Sequence, residues 1–132
     1  MSKYLVKGTE IFNGVIPRYE GTILYDNPQG SNGTITLSDN VANYSYLEVY
    51  FFTNDGWQYE GYQKCMMAGN NNTNHSLIAF WTNTNGSFYL KVKNININGT
   101  SITNAGYAEK DMNASSTTAS NNIYIRRVLG YK

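Results

Sequence analysis

Charge, cysteine, proline and histidine are all scarce in this chain. Only 14% of its 132 residues are charged, ten basic against nine acidic, where roughly 25% is usual. Phosphate backbones are held by clustered Lys and Arg. The only adjacent basic pair is Arg126-Arg127, which plain strand alternation puts on opposite faces. Nucleic acid is therefore not an expected partner. A single cysteine, Cys65, excludes an internal disulfide, and its neighbours Lys64 and Met66-Met67 suit a buried strand thiol better than a nucleophile. The lone histidine, His75, has no companions at metal-ligand spacing, and no calcium-loop pattern occurs, so neither metal nor cofactor is expected. No apolar run approaches the ~18 residues that span a bilayer as a helix, the opening residues carry no secretory pattern, and membrane insertion is not expected.

Tyrosine, asparagine, glycine and threonine take the place of charge, with twelve Tyr and twelve Gly but only two Pro. This is the composition of an all-β, turn-rich chain. The segment Tyr44 to Gly56 has the longest run of strong strand formers. Alternation there puts Leu47, Val49 and Phe51 on one face and Tyr46, Glu48, Tyr50 and Phe52 on the other, and Asn54-Asp55-Gly56 ends it as a turn. It is the expected central strand, and neither of its faces looks fully solvated.

Around it, residues 1–20 read as an N-terminal connector or a peripheral strand, because Pro17 and scattered charges break regular pairing. Residues 21–132 read as one β-sandwich domain. Its first strand is expected at Gly21–Asp26, followed by a long turn at 27–33, a short strand at Thr34–Leu37, and a loop at 38–43 plugged by Val41. After the central strand come an aromatic loop at 57–62, a strand at Gln63–Ala68, an exposed connection at 69–74 and a strand from His75 to Thr82. The segment Ser87–Lys93 alternates cleanly, with Phe88, Leu90 and Val92 expected inside and Lys91 and Lys93 outside. Ile95 and Ile97 fall out of that phase, which predicts a bulge or a change of sheet at Asn94. Asn98-Gly99 predicts a tight turn, Ser101–Thr103 a short strand, 113–122 a polar loop, and Asn122–Tyr131 the last strand. Seven to nine short strands without helical periodicity predict an all-β antiparallel sandwich or jelly-roll-like domain.

No catalytic constellation is visible. A Cys65–His75 dyad lacks an orienting third group, and most acids sit in turns, where they have a structural role. Exposed aromatics are the positive signal. Trp57, Tyr59 and Tyr62 fall within six residues, and Trp81 and Tyr89 lie on neighbouring strands. An aromatic face fits the C–H face of a sugar ring while neighbouring polar groups hold its hydroxyls. Glu48 either accepts from a sugar hydroxyl or pairs with Lys91, Lys93 or an Arg. The candidate saccharide-binding set is Trp57, Tyr59, Tyr62, Trp81, Glu48, Asn72 and His75, with Trp81 better suited to core or interface packing. On this reading Trp57→Ala reduces ligand binding without unfolding the domain.

Two stretches carry a resemblance. One runs Gly21-Thr22-Ile23-Leu24-Tyr25, Gly33-Thr34-Ile35-Thr36-Leu37-Ser38-Asp39 and Asn43-Tyr44 to Gly56. The other is Ile123-Tyr124-Ile125-Arg126-Arg127-Val128-Leu129-Gly130-Tyr131-Lys132. Together they resemble the C-terminal head domain of phage tail receptor-binding and tail-fibre proteins from siphophages of streptococci and lactococci. The resemblance implies a homotrimeric, non-enzymatic head at the tip of a tail or baseplate protein, assembled in the host cytoplasm and carried on the virion. Its implied partners are host cell-wall polysaccharide, its own copies and the rest of the tail protein. Two other functions fit the same residues: a carbohydrate-binding module of a virion-associated or secreted hydrolase, and a structural trimeric fibre cap.

Overall fold

The computed structural model describes residues 21–54, 56, 59–82, 84, 86–113 and 116–132. The expected connector at 1–20 lies outside them, as do Asp55 of the expected turn and Trp57 and Gln58 of the aromatic segment. The strands are β1 (Thr22–Ser31), β2 (Ile35–Thr36), β3 (Tyr46–Thr53), β4 (Glu60–Met66), β5 (Asn72–Thr82), β6 (Phe88–Asn98), β7 (Ser101–Asp111) and β8 (Ile123–Tyr131), and one 3₁₀ turn spans Val41–Asn43. They form two four-stranded sheets, β1-β8-β3-β4 and β2-β7-β6-β5, with every pairing antiparallel. The all-β expectation holds. The hairpins β3–β4, β5–β6 and β6–β7 stay within one sheet, and the chain crosses between sheets at its other connections.

β3 lies between β8 and β4, so both of its backbone edges are paired. Leu47, Val49 and Phe51 face one core together with Leu24, Ile123, Ile125 and Val128 of the same sheet. Leu77, Ala79, Ile95, Ile97 and Ile102 of the second sheet join the same core. Val41 plugs it and is fully buried, as its sequence position suggests. Tyr44 lies flat on Gly130, where a Cβ would stand 2.7 Å from the ring. The β6–β7 turn uses Gly99 at φ +62, the glycine-first geometry of a two-residue hairpin loop.

Four expectations about extent are corrected. β1 runs on through Asn27–Gly30 instead of turning there, although its pairing with β8 is irregular between Asp26 and Ser31. β4 already begins at Glu60, inside the expected aromatic loop, and β5 begins at Asn72, inside the expected connection. β7 is eleven residues long, because β6 supplies a partner along its whole length.

The phase of β6 is the larger correction. Lys91, Lys93, Ile95 and Ile97 are all buried on one face. β6 pairs with β5 without a break from Asn72↔Asn98 to Thr82↔Phe88. Phe88, Leu90 and Val92 therefore face out. The irregularity expected at Asn94 is on the neighbouring strand: Asn94 opposes Gly106 and Ile95 opposes Asn104, leaving Ala105 extra in β7. Ile95 and Ile97 set the phase, and the two lysines follow them inward. Their methylene stems fill apolar space. Lys91 Nζ sits 3.6 Å from Glu109 Oε1, and Lys93 Nζ donates to the Asn32 carbonyl at 2.9 Å. Burial lowers the pKa of both, that of Lys93 to about 8.

Candidate ligand-binding face

The outer face of the β1-β8-β3-β4 sheet is built by the alternate residues of β3. Tyr46, Glu48, Tyr50 and Phe52 are half-buried where Leu47, Val49 and Phe51 are buried. Their cross-strand neighbours are also aromatic. Tyr46 stacks on Tyr131 with ring centres 4.8 Å apart, Tyr50 on Tyr62 at 5.2 Å, and Phe52 leans on Tyr124 at 5.7 Å. Glu48 sits among them and accepts from the Tyr50 hydroxyl at 2.8 Å and the Tyr131 hydroxyl at 2.9 Å. Burial, reinforced by these bonds, raises the pKa of Tyr50 and pushes that of Tyr131 up to about 12. Both phenols are therefore neutral donors at physiological pH, and the Glu48 carboxylate holds their rings in place.

β8 adds the charges through a bulge. Tyr50 opposes Arg127 and Phe51 opposes Ile125, so Arg126 is the unopposed residue. A bulge of this kind shifts the strand's phase and re-aims side chains. Ile123 and Ile125 point inward before it, Val128 and Gly130 after it. Arg126 and Arg127 thus both reach the outer face, which corrects the expectation that they alternate. Arg126 lies over the Phe52 ring at 5.1 Å and pairs with Glu60. Arg127 pairs with Asp26 at 3.4 Å.

The register aligns one row across all four strands. Asp26 opposes Arg127, Arg127 opposes Tyr50, and Tyr50 opposes Tyr62. Two shallow cavities flank this row. One, of about 300 Å³, is lined by Asp26, Pro28, Tyr50, Arg126, Arg127 and Leu129. The other, of about 230 Å³, is lined by Tyr50, Glu60, Tyr62 and Arg126 among others. Aromatic walls, paired charges and open access suit reversible binding of a polar ligand with apolar ring faces.

The residues singled out from sequence are scattered by comparison. Tyr62, 57% exposed, and Glu48 lie on this face, linked through Tyr50. Trp57 lies outside the described residues. Tyr59, expected to be exposed, is half-buried between Phe51 and Phe80, with ring centres 6.0 and 5.8 Å away. Trp81 is on the other sheet, tilted against Tyr89 at 5.5 Å. Asn72 starts β5 and accepts from Asn96 at 2.7 Å. His75 lies within 3.0 Å of the Thr73 hydroxyl, and burial lowers its pKa, which leaves it neutral at pH 7. Cys65 is buried with its thiol pushed up to about 12, so it carries no thiolate. Among the described residues no group of His, Cys, Asp or Glu is placed to hold a metal ion. Arg126, Arg127, Asp26, Tyr124 and Tyr131 were missed as a group. The signal was the phase slip between Ile125 and Val128, which places the extra residue at the arginine pair.

No protein-family model matches the chain, and no curated protein matches it.

Proposed function

We propose that the domain is a non-enzymatic saccharide-binding module that uses the outer face of the β1-β8-β3-β4 sheet. The observation that carries this reading is the row Asp26–Arg127–Tyr50–Tyr62, in which a charged pair lies beside a stacked pair of rings across four strands. Stacked tyrosines offer a flat apolar surface to the C–H face of a pyranose. The carboxylates accept from its hydroxyls, and the guanidiniums donate to its oxygens. The biological setting that the sequence resemblance suggests is the head of a phage tail receptor-binding protein that recognises host cell-wall polysaccharide.

Labelled protein applied to a panel of Gram-positive cells, with wall polysaccharide stripped from half of each sample, tests the reading. Strain-selective labelling that disappears on stripping and falls with Tyr62→Ala is the expected result. Labelling that survives stripping, or no labelling by the folded protein, overturns it.

A second reading, a homotrimeric fibre cap, draws on the other sheet. Its outer face exposes Ile78, Phe80 and Phe88, and a stripe of this kind suits packing against further copies of the chain. The two readings are compatible, with one sheet binding and the other assembling.

A further inference from the structure

The outer face of the first sheet holds two half-sites of similar chemistry, and this bears on the length of its ligand. At the β1 end, the larger cavity has an arginine–carboxylate pair, Arg127 with Asp26, beside Tyr50. At the β4 end, the smaller cavity has a second such pair, Arg126 with Glu60, beside Tyr62. Tyr50 and Arg126 line both cavities, so the two lie side by side against the same pair of side chains. The bulge at Arg126 creates this arrangement, because a regular β8 would send one of the two arginines into the core. Asp26 on β1 and Tyr62 on β4 are three strand spacings apart, ~14 Å at the usual interstrand distance. That span is longer than a single pyranose ring.

From this layout we infer that the site takes an oligosaccharide of at least two linked rings, lying across the strands along the Asp26–Arg127–Tyr50–Tyr62 row. One ring sits at the Tyr50–Asp26 end and the next at the Tyr62–Glu60 end. Arg126, between them, donates to oxygens near the linkage. This inference rests on the saccharide reading above and specifies its substrate class. Binding two adjoining half-sites with one chain makes the second contact intramolecular, so affinity rises steeply from one ring to two and levels off once both ends are filled.

The test uses wall polysaccharide from a strain that the protein labels, cut by mild acid and separated by ring number. Each fraction competes against the intact polysaccharide immobilised on a surface. Fragments spanning both half-sites are expected to compete at least tenfold better than single rings, the gain from about 1.4 kcal/mol of added contact. Asp26→Ala and Glu60→Ala remove opposite ends. These are exposed side chains, and unchanged melting temperatures check that both variants fold. Each variant is expected to weaken long fragments about tenfold, while single rings respond to only one of the two. Single rings competing as well as long fragments, or long fragments indifferent to both variants, overturn the inference and leave the saccharide reading standing. Failure of the intact polysaccharide to bind removes both.

Discussion

The two outer faces of the molecule follow different rules. On the β1-β8-β3-β4 sheet, every exposed charge near the centre has a partner and most rings have a neighbour. Lys64 lies over Tyr46, Arg126 and Arg127 meet acids, and Glu48 holds two tyrosines. The β2-β7-β6-β5 sheet is divided instead. One half is an amide lattice, with Asn96 donating to Asn72 and Asn74, and Ser76 to Asn94. The other half is apolar, with Ile78, Phe80 and Phe88 exposed. A face with fixed rings and neutralised charges suits a hydroxylated ligand. A face with a bare apolar patch beside a neutral polar one resembles the core and rim of a protein interface.

Ile78→Glu is the largest expected break in this contrast. It places a charge in the apolar half, so on the fibre-cap reading proposed above the assembly falls to monomers in sedimentation, and on the saccharide reading avidity for multivalent cell walls drops by roughly 10²–10⁴-fold. Affinity for a single short fragment stays the same. A variant that sediments like the parent removes the assembly role from that sheet.

Lys93→Met probes why the second sheet turns Phe88, Leu90 and Val92 outward at all. Burial lowers the Lys93 pKa to about 8 from its ordinary 10.5. Below pH 8 both folded and unfolded chains hold the proton, and the full cost of burying the charge is felt. Between about 8 and 10.5 the unfolded chain binds more protons, so stability rises with pH in that window. Burial lowers Lys91 in the same direction, partly offset by Glu109. Lys93→Met is expected to raise stability at pH 7 by up to ~3 kcal/mol and to flatten the rise above pH 8 in denaturant titrations. Asn32 keeps its donors from Asn104 and Asn121, so the loop stays tied. A variant less stable than the parent at pH 7 means that the Lys93–Asn32 bond outweighs the desolvation.

Smaller effects sharpen the contrast. Tyr62→Ala removes an exposed ring stacked on Tyr50, and on the saccharide reading loses ~1–2 kcal/mol of binding with sedimentation unchanged. Calorimetry with the long wall fragments reads it, and unchanged affinity moves the site off β4. Asn96→Ala dismantles the amide lattice for ~1 kcal/mol of stability or less, because those groups are open to water. A large fall in melting temperature would instead make the lattice a principal support of the sheet.

Much of the fold was legible because period-two alternation is local. The central strand, the Val41 plug and the final strand all follow from it. β6 was misread because Phe88, Leu90 and Val92 look like a core face by residue type. Only the sheet reveals that Ile95 and Ile97, in the opposite phase, govern the whole strand. The site was legible in kind, tyrosines with acids, but not in place. Of the residues named, Glu48 and Tyr62 meet through Tyr50. Tyr59 is drawn between Phe51 and Phe80, and Trp81 lies on the other sheet. Cross-strand proximity depends on register, which neighbouring residues in the sequence do not report.

Composition and local alternation were enough to set the fold class. Scarce charge, one cysteine, abundant Tyr and Asn and short alternating segments leave an all-β chain whose surface contacts are aromatic and amide in character. The tertiary structure decided which alternation wins where two compete. A strand turns as a unit, so one unopposed residue at Arg126 brought two arginines to the same face, and two isoleucines carried two lysines into the core.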